Sequence, residues 1–340
     1  MIEITKVRIE KHFLEYKQPI RTFHGEINKR SIVLLALQDQ KGRWGYGEAS
    51  PLKGFSREST KDAESGLIKW SRSRNRQSLE GLPSAIAALD SAFLDLASQE
   101  AAVSLHEFLE PESSKIFPVA KLLTGNTGNE IELETLKALK AGFSTIKLKV
   151  GNKNPKLDLS RVKAARSIGG ADLSIRLDAN GAWEVNEAVD NLGQLSEMNL
   201  EFVEEPSKGL EKIAAVRSST TVPIAVDESI GEIVNFKSFI DLKPADVVVI
   251  KPSSLGGLTN TSKLILEAKD SGLKVIVTSL LDGAIGVMAA AHLVSAHGLN
   301  EFAHGLATSS LLSVDIATQP IIKEGNFYLP DTPGLGISFN

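Results

Sequence analysis

Residues Ser144 to Gly151 read "STIKLKVG". Thr145, Ile146, Leu148 and Val150 suit a buried strand, yet Lys147 and Lys149 alternate with them. In a strand, residues two apart point to the same side. Both ammonium groups therefore face one way, and Ile146, Leu148 and Val150 face the other. Moving outward along the chain, the same texture recurs in "LSIRLDAN", "LEFVEEP", "IAVDES", "ADVVVIKP", "KVIVTS" and "EFAHGL". Each is a short β-branched run ending in a polar or charged residue, and helical sequence separates them. The ends fall at Lys149, Asp178, Glu204, Asp227, Lys251, Ser279 and His304, roughly 23 to 29 residues apart. That is the length of one βα unit in a barrel of eight units and about 250 residues. With "FPVAKLL" as the first strand, eight strands are expected. A doubly wound open sheet is the structural alternative, but no Gly-rich dinucleotide fingerprint follows the early strands.

The first part of the chain has a different rhythm. "MIEITKVRIE" and "SIVLLALQDQKGRWGYGEAS" read as strands, with a hairpin turn at Gln40-Lys41-Gly42. From Ser59 to Leu109 the spacing is helical, with Pro83 near one helix start. The segment from Ala284 to Leu299 reads as a buried helix. The expected architecture is thus α/β: a TIM-type barrel with an N-terminal α+β domain. The "GNFYLPDTPGLGISFN" tail is expected to pack back onto that domain.

Composition narrows the function classes. The chain has 340 residues, 42% hydrophobic content and a net charge of −4. This weak acidity gives no basic face for nucleic acid. No apolar run approaches the length of a membrane span, and the alternating N-terminus reads as a strand and not as a signal peptide. There are no cysteines. Disulfides, Cys-ligated zinc, iron–sulfur clusters and a thiol nucleophile are excluded, and a cytoplasmic location is the expectation. A single chain of ordinary surface leaves the oligomeric state open.

The strand ends of a parallel barrel converge at its C-terminal face. There the sequence places Lys147 and Lys149, then Asp178, Glu204 and Asp227, then Lys251. Taken alone, a strand-end Asp is more often a helix cap, and a barrel Lys a structural ion pair. Several charged groups at consecutive strand ends would be very costly to bury without purpose. Three carboxylates without a His or Cys partner suit a hard divalent cation, magnesium first and manganese second. A cation and mutual repulsion would both disfavour the lysine ammonium forms, leaving either lysine able to act as a general base. Glu205 and Glu228 are expected behind the site or facing solvent. His304 could touch substrate or serve packing. His292 and His297, five apart, make a poor metal pair.

These residues carry a resemblance. "KLKVG", "RLDAN", "FVEEP", "VDES" and "VIKP" occur in the order seen in the enolase superfamily, in its muconate-lactonizing subgroup. The resemblance implies a capping domain over residues 1–112, a modified (β/α)7β barrel over 113–312 and a C-terminal segment, 313–340, completing the cap. It implies magnesium on Asp178, Glu204 and Asp227, with Lys149 and Lys251 as acid/base residues on opposite faces of a small carboxylate substrate. "GYGEASPLKGFSREST", "IRLDANGAW", "VVIKPSSLGGL" and "HGLATSSLL" are most similar to the o-succinylbenzoate synthase family of menaquinone biosynthesis. That similarity implies metal-dependent loss of water from a cyclohexadiene carboxylate, with Lys149 removing the α-proton and Lys251 staying protonated. Lys147 and Arg176 would support carboxylate binding, Asn180 would reach the substrate, and Thr278, Ser279, Gly305 and Leu306 would line the pocket. Asp282 stands where relatives commonly have Glu, and the cap loop from Tyr16 to Glu26 matches only loosely.

Other activities compete on the same residues. A dipeptide epimerase or N-acylamino-acid racemase would use the same two lysines. Members resembling known epimerases carry Asp-x-Asp after the eighth strand, where this chain has "HGLATSSLLSVD". A muconate-type cycloisomerase is a further alternative. A Schiff-base aldolase would leave the three carboxylates without a purpose.

Overall fold

The computed structural model describes residues 2–22, 25–232 and 236–339. The N-terminal part is an antiparallel sheet of β1 (Ile4–Thr22), β2 (Gly25–Asp39) and β3 (Trp44–Ala49). The β2–β3 turn is where the sequence placed it. Asp39 accepts the backbone N–H groups of Lys41 and Arg43, both at 2.9 Å, and Gly42 takes a φ of +81° that a side chain would resist. Three helices follow: α1 (Thr60–Ser73), α2 (Pro83–Glu100) and α3 (Leu105–Leu109). Ser59 and Asp62 form a reciprocal capping box at α1, and Pro83 opens α2. Alternate residues of β2, Val33, Leu35 and Leu37, pack on Ala85, Ala88, Ala92 and Leu96 of α2. Gly47 makes the closest approach: a Cβ there would lie 1.9 Å from the carbonyl oxygen of Ala88. Only glycine lets β3 lie directly on the helix.

The barrel follows in chain order. After β4 (Ile116–Pro118), which lies outside it, its elements are β5 (Lys121–Leu123), α4 (Gly128–Lys140), β6 (Thr145–Lys149), α5 (Pro155–Gly169), β7 (Ser174–Asp178), α6 (Val185–Leu195), β8 (Leu200–Glu204), α7 (Leu210–Ser218), β9 (Ile224–Val226), α8 (Phe236–Leu242), β10 (Val247–Ile250), α9 (Leu258–Asp270), β11 (Lys274–Val277) and α10 (Ala284–Ala296). Strands β5 to β11 form a parallel sheet in sequence order. Ile146 and Leu148 are fully buried in the core shared with the surrounding helices, while Lys147 and Lys149 point inside. The inner floor is apolar, built from Phe202, Ala225, Val247, Val249 and Ile276.

Two expectations about strands are corrected. "FPVAKLL" is not one strand: Phe117 and Pro118 pair antiparallel with the tail, and only Lys121–Leu123 joins the barrel beside β6. "EFAHGL" is not a regular strand either. The barrel closes through parallel bridges Val119 to His304 and Thr278 to Gly305. Gly305 permits this seam, because a Cβ there would stand 2.6 Å from Cγ2 of Thr278.

The tail divides between the two regions. β12 (Leu312–Val314) pairs with β1, whereas β13 (Ile321–Lys323) and β14 (Asn326–Tyr328) form a hairpin on β4. Further on, the backbone N–H of Leu335 donates to Asp95 at 2.8 Å, and the rings of Phe339 and Tyr46 lie 4.6 Å apart. The Tyr16–Glu26 stretch was expected as the cap loop. Its described residues extend the β1–β2 ribbon instead, pairing Ile20 with Ile27 and Arg21 with Glu26. Pro19 and a shift of register after Glu15 hid that strand from the alternation pattern. Phe23 and His24 lie outside the described residues. Among the described residues no helix is long and apolar enough to cross a membrane.

The sheet and the barrel meet over a buried acidic seam. Glu48 accepts the N–H groups of Gly283 and Gly286, at 2.8 and 3.0 Å, at the start of α10. Asp315 accepts that of Ala284 at 2.9 Å. Burial pushes the Glu48 carboxyl up to about 7, and the charges of Asp282 and Asp315 act in the same direction, against the two N–H groups. The folded state therefore holds this proton more tightly than the unfolded chain. Glu48 then costs stability as pH rises from about 4.5 to about 7. The expected loss is on the order of 1–3 kcal/mol. Urea unfolding at pH 5 and pH 8 should show it, and Glu48→Gln should shrink the difference between the two. An unchanged difference in the variant would assign that pH dependence to other groups.

Candidate active site

The C-terminal ends of β6 to β10 bring the sequence-marked charges into one pocket. Lys147 and Lys149 are partly exposed, and Lys251 less so, whereas Asp178, Glu204 and Asp227 are 2%, 1% and 5% exposed. Lys147 Nζ donates to both carboxylate oxygens of Glu204 at 2.8 Å and lies 2.9 Å from Oδ2 of Asp178. Lys149 Nζ donates to the same Asp178 oxygen at 3.0 Å and to Oδ1 of Asn180 at 2.6 Å. Lys251 donates to Asp227. The ordering follows from the parallel register, which sets Lys149 beside Asp178 and Asp178 beside Glu204.

The electrostatics differ from the expectation that repulsion depresses the lysines. Burial alone would lower Lys147, but Asp178, Glu204 and Asp227 outweigh it and hold the ammonium far above its ordinary value. Lys251 is likewise raised: burial acts against it, and Asp227, Glu204 and Glu228 prevail. Burial would raise Asp178, yet Lys147 and Lys149 keep it well below the usual carboxylate range. Glu204 goes the other way. Burial raises it to about 8, and the neighbouring charges of Asp178 and Asp227 offset what Lys147 gives back. Asp227 is also raised, by burial first. Lys147 and Glu204 thus both rise although they face each other: the carboxylates outweigh burial at the lysine, whereas burial, with Asp178 and Asp227, outweighs the lysine at Glu204.

Among the described residues no group of three or more side chains stands arranged around a metal position. The carboxylates of Asp178, Glu204 and Asp227 instead point at ammonium groups. Their chemistry nevertheless fits a hard cation: oxygen donors only, on three adjacent strands, buried, with Asp178 and Asp227 close enough to act on Glu204. A divalent ion would relieve that crowding.

Glu205 and Glu228 are not on the solvent side. Glu205, at a φ of +44°, accepts the N–H groups of Asp227 and Ser229 at 2.9 and 3.2 Å and fixes the loop after β9. Glu228 accepts from Nδ2 of Asn180 at 2.7 Å. Asn180 therefore bridges Lys149 to Glu228.

The remaining pocket candidates separate. Thr278, Ser279 and Gly305 line the cavity beside the lysines, and the Thr278 hydroxyl is buried without a hydrogen-bond partner among the described residues. Arg176 lies one layer lower, on the floor. It still lines the cavity, with Nε donating to Glu201 at 2.5 Å, Nη1 donating to the carbonyl of Ala303, and its face on the Phe202 ring. Leu306 does not line the pocket: it is fully buried in the outer core, and Ala307 and Thr308 face the cavity instead. Leu306 follows the seam glycine, so the chain turns it outward. His304 is a packing residue. Its Nδ1 accepts the Val277 N–H at 3.0 Å and its Nε2 meets the Leu299 carbonyl at 2.6 Å, so it ties the closing seam.

Sequence reasoning missed the apolar side of the pocket. Ile20, Leu52 and Phe55 come from the N-terminal domain, and Leu280 and Leu281 from the loop after β11. The signal was present in "SPLKGFS", where two large apolar residues stand in a Pro- and Gly-containing loop.

Comparison with known proteins agrees on the superfamily and divides on the activity. Residues 131–340 match the family described as Enolase C-terminal domain-like, and residues 6–96 match MenC, N-terminal domain. An L-Ala-D/L-Glu epimerase from Clostridium acetobutylicum is 28% identical over 94% of this chain and 94% of its own length. An o-succinylbenzoate synthase from Thermobifida fusca is 36% identical over 54% of this chain and 57% of its own length. The crystal structure of a dipeptide epimerase from Enterococcus faecalis, complexed with Mg and L-Leu-L-Tyr, superposes with a TM-score of 0.88. It is 26% identical, with 99% of this chain and 100% of that one covered.

Proposed function

The chain belongs to the enolase superfamily, and from that premise we propose that it is an o-succinylbenzoate synthase. The reaction would be loss of water from 2-succinyl-6-hydroxy-2,4-cyclohexadiene-1-carboxylate. The observation that carries this reading is the charge pattern of the pocket. Its acidic lining residues among the described ones, Asp178, Glu204 and Asp227, are each bonded to a lysine. The rest of the wall is cationic, neutral or apolar. A cyclohexadiene ring with one carboxylate of its own and a second on its succinyl arm suits that wall. The α-ammonium of a dipeptide would find no unpaired carboxylate there, since Ala307 and Thr308 stand in the segment after the closing seam. The match of residues 6–96 to the MenC N-terminal family supports the same choice.

In this reading Asp178, Glu204 and Asp227 would hold a divalent cation, which supplies charge stabilisation to the substrate carboxylate as the α-proton leaves. Lys149 takes that proton at Nζ. The bond from the adjacent ring carbon to its hydroxyl breaks on the same face, the proton departs with the oxygen as water, and the ring becomes aromatic. Lys251 stays an ammonium and faces the developing negative charge, consistent with the carboxylates that raise it. Lys147 holds Glu204 and Asp178 in place. The buried Thr278 hydroxyl is a donor for the succinyl arm.

A second reading is dipeptide epimerisation. It is favoured by a different observation: the epimerase relatives align over almost the whole chain, and both lysines needed for two-face proton transfer are present. One experiment separates the two. Purified protein is mixed with magnesium and the cyclohexadiene carboxylate, and the diene absorbance is followed with and without chelator. Fast, chelator-sensitive loss supports the synthase. A folded protein without turnover rejects it, and exchange of α-protons with deuterated solvent is then screened over dipeptides and N-acylamino acids.

A further inference from the structure

Arg30 sits in β2 on the face that alternates with the helix-facing residues Val33, Leu35 and Leu37. It is 3% exposed. A guanidinium this deep must have its donors satisfied, because burying the charge unpaired would be very costly. The satisfaction comes from four backbone carbonyls in two separate loops. Nη1 donates to Pro51 at 2.7 Å, and Nη2 to Ser50. Nη2 also donates to Leu280 at 3.1 Å, and Nε to Leu281 at 3.2 Å.

Both loops carry pocket wall. The first pair of carbonyls immediately precedes Leu52, with Phe55 three residues beyond, and the second pair belongs to Leu280 and Leu281 themselves. The barrel loop is not in a relaxed conformation, since Leu281 has a φ of +57°, the left-handed region that a leucine rarely adopts. Asp282 adds a parallel tie. It accepts from the Ser50 hydroxyl at 2.7 Å, the Ser253 hydroxyl at 3.2 Å and the Leu280 N–H at 3.0 Å. Its contacts therefore lie in this seam, which joins the first loop to the chain just past Lys251.

We propose that Arg30 is a positioning residue that clamps the two apolar lips of the pocket, Leu52–Phe55 and Leu280–Leu281, at a fixed separation and so sets substrate fit. Arg30 touches no reacting group. Its effect passes through four carbonyls whose spacing only a planar, forked donor can match, so lysine is an incomplete substitute. The inference rests on the reading of this cavity as the substrate pocket.

The test compares wild type with Arg30→Met, Arg30→Lys and Leu281→Gly. Hydrogen exchange needs no ligand. In Arg30→Met, or in Arg30→Lys if the Met variant does not fold, both lips should lose protection together while β6 to β8 keep theirs. Kinetics with the cyclohexadiene carboxylate should give a KM raised about tenfold or more in Arg30→Met, with kcat within about threefold and partial recovery in Arg30→Lys. Leu281→Gly, which releases the left-handed restriction, should keep or raise the melting temperature yet still raise KM. Unchanged lip protection would overturn the clamp. Loosened lips with wild-type KM would reduce Arg30 to a structural role and overturn the assignment. A wild-type protein that does not turn over this substrate would reject the proposed reaction, while the exchange result would still decide the clamp.

Discussion

Lys149→Ala is expected to lower turnover by roughly 10²- to 10⁴-fold, the usual worth of a positioned general base. The fold should survive. Lys149 is the most exposed of the three lysines, at 29%, and Asp178 keeps its contact with Lys147 when Lys149 is removed. The melting temperature should therefore stay near that of wild type while kcat collapses. KM should change less than kcat, because proton removal is a step made only in the transition state. The check is steady-state kinetics beside circular dichroism on the same preparation. A folded variant turning over within a few-fold of wild type would remove Lys149 from the chemistry and shift attention to Lys251. Lys251 has the opposite assignment: burial acts against its ammonium form, but Asp227, Glu204 and Glu228 prevail and favour it.

The second large effect concerns the carboxylates. Glu204→Gln is expected to weaken magnesium binding by more than about 10²-fold, as removal of a charged oxygen donor from a small hard-cation site should. Activity should then require far more magnesium. A readout independent of activity is thermal: an ion that binds only the folded state stabilises by about 2.7 kcal/mol at a hundred times its Kd. Wild-type protein should melt higher in magnesium, and Glu204→Gln should lose most of that rise. Lys147 keeps its contact with Asp178 in the variant, so its ammonium is not left unpaired. An undiminished magnesium shift in the variant would show that the ion binds elsewhere.

The two predictions depend on different kinds of information. That Lys147 and Lys149 share the inner face of β6 follows from the two-residue period of a strand. Asp178, Glu204, Asp227 and Lys251 converge because each ends a strand in a βα repeat. Those rules are local or nearly so, and a single sequence carries them. The hairpin at Gln40-Lys41-Gly42 and the helix starts at Ser59 and Pro83 were legible for the same reason: a side chain within a few residues decides each one.

Other features depend on contacts between residues far apart in the chain. Arg176 shares the inner face with Asp178, yet Glu201 and the carbonyl of Ala303 draw its guanidinium to the floor. Leu306 was expected in the pocket wall, but the seam made by Gly305 against Thr278 turns it into the outer core. At Lys147 and Lys251 burial acts against the ammonium form, but carboxylates on neighbouring strands prevail, against the direction expected from mutual repulsion of the lysines. The apolar lips come from distant segments, and Arg30, which joins them, is 250 residues from Leu280 in the chain. By itself the sequence determined the barrel and the charged ring at its mouth, because strand alternation and βα spacing are short-range geometry. Only the tertiary structure decided which charges pair and what shape the pocket takes, because those depend on which distant side chains and carbonyls the fold brings within hydrogen-bond reach.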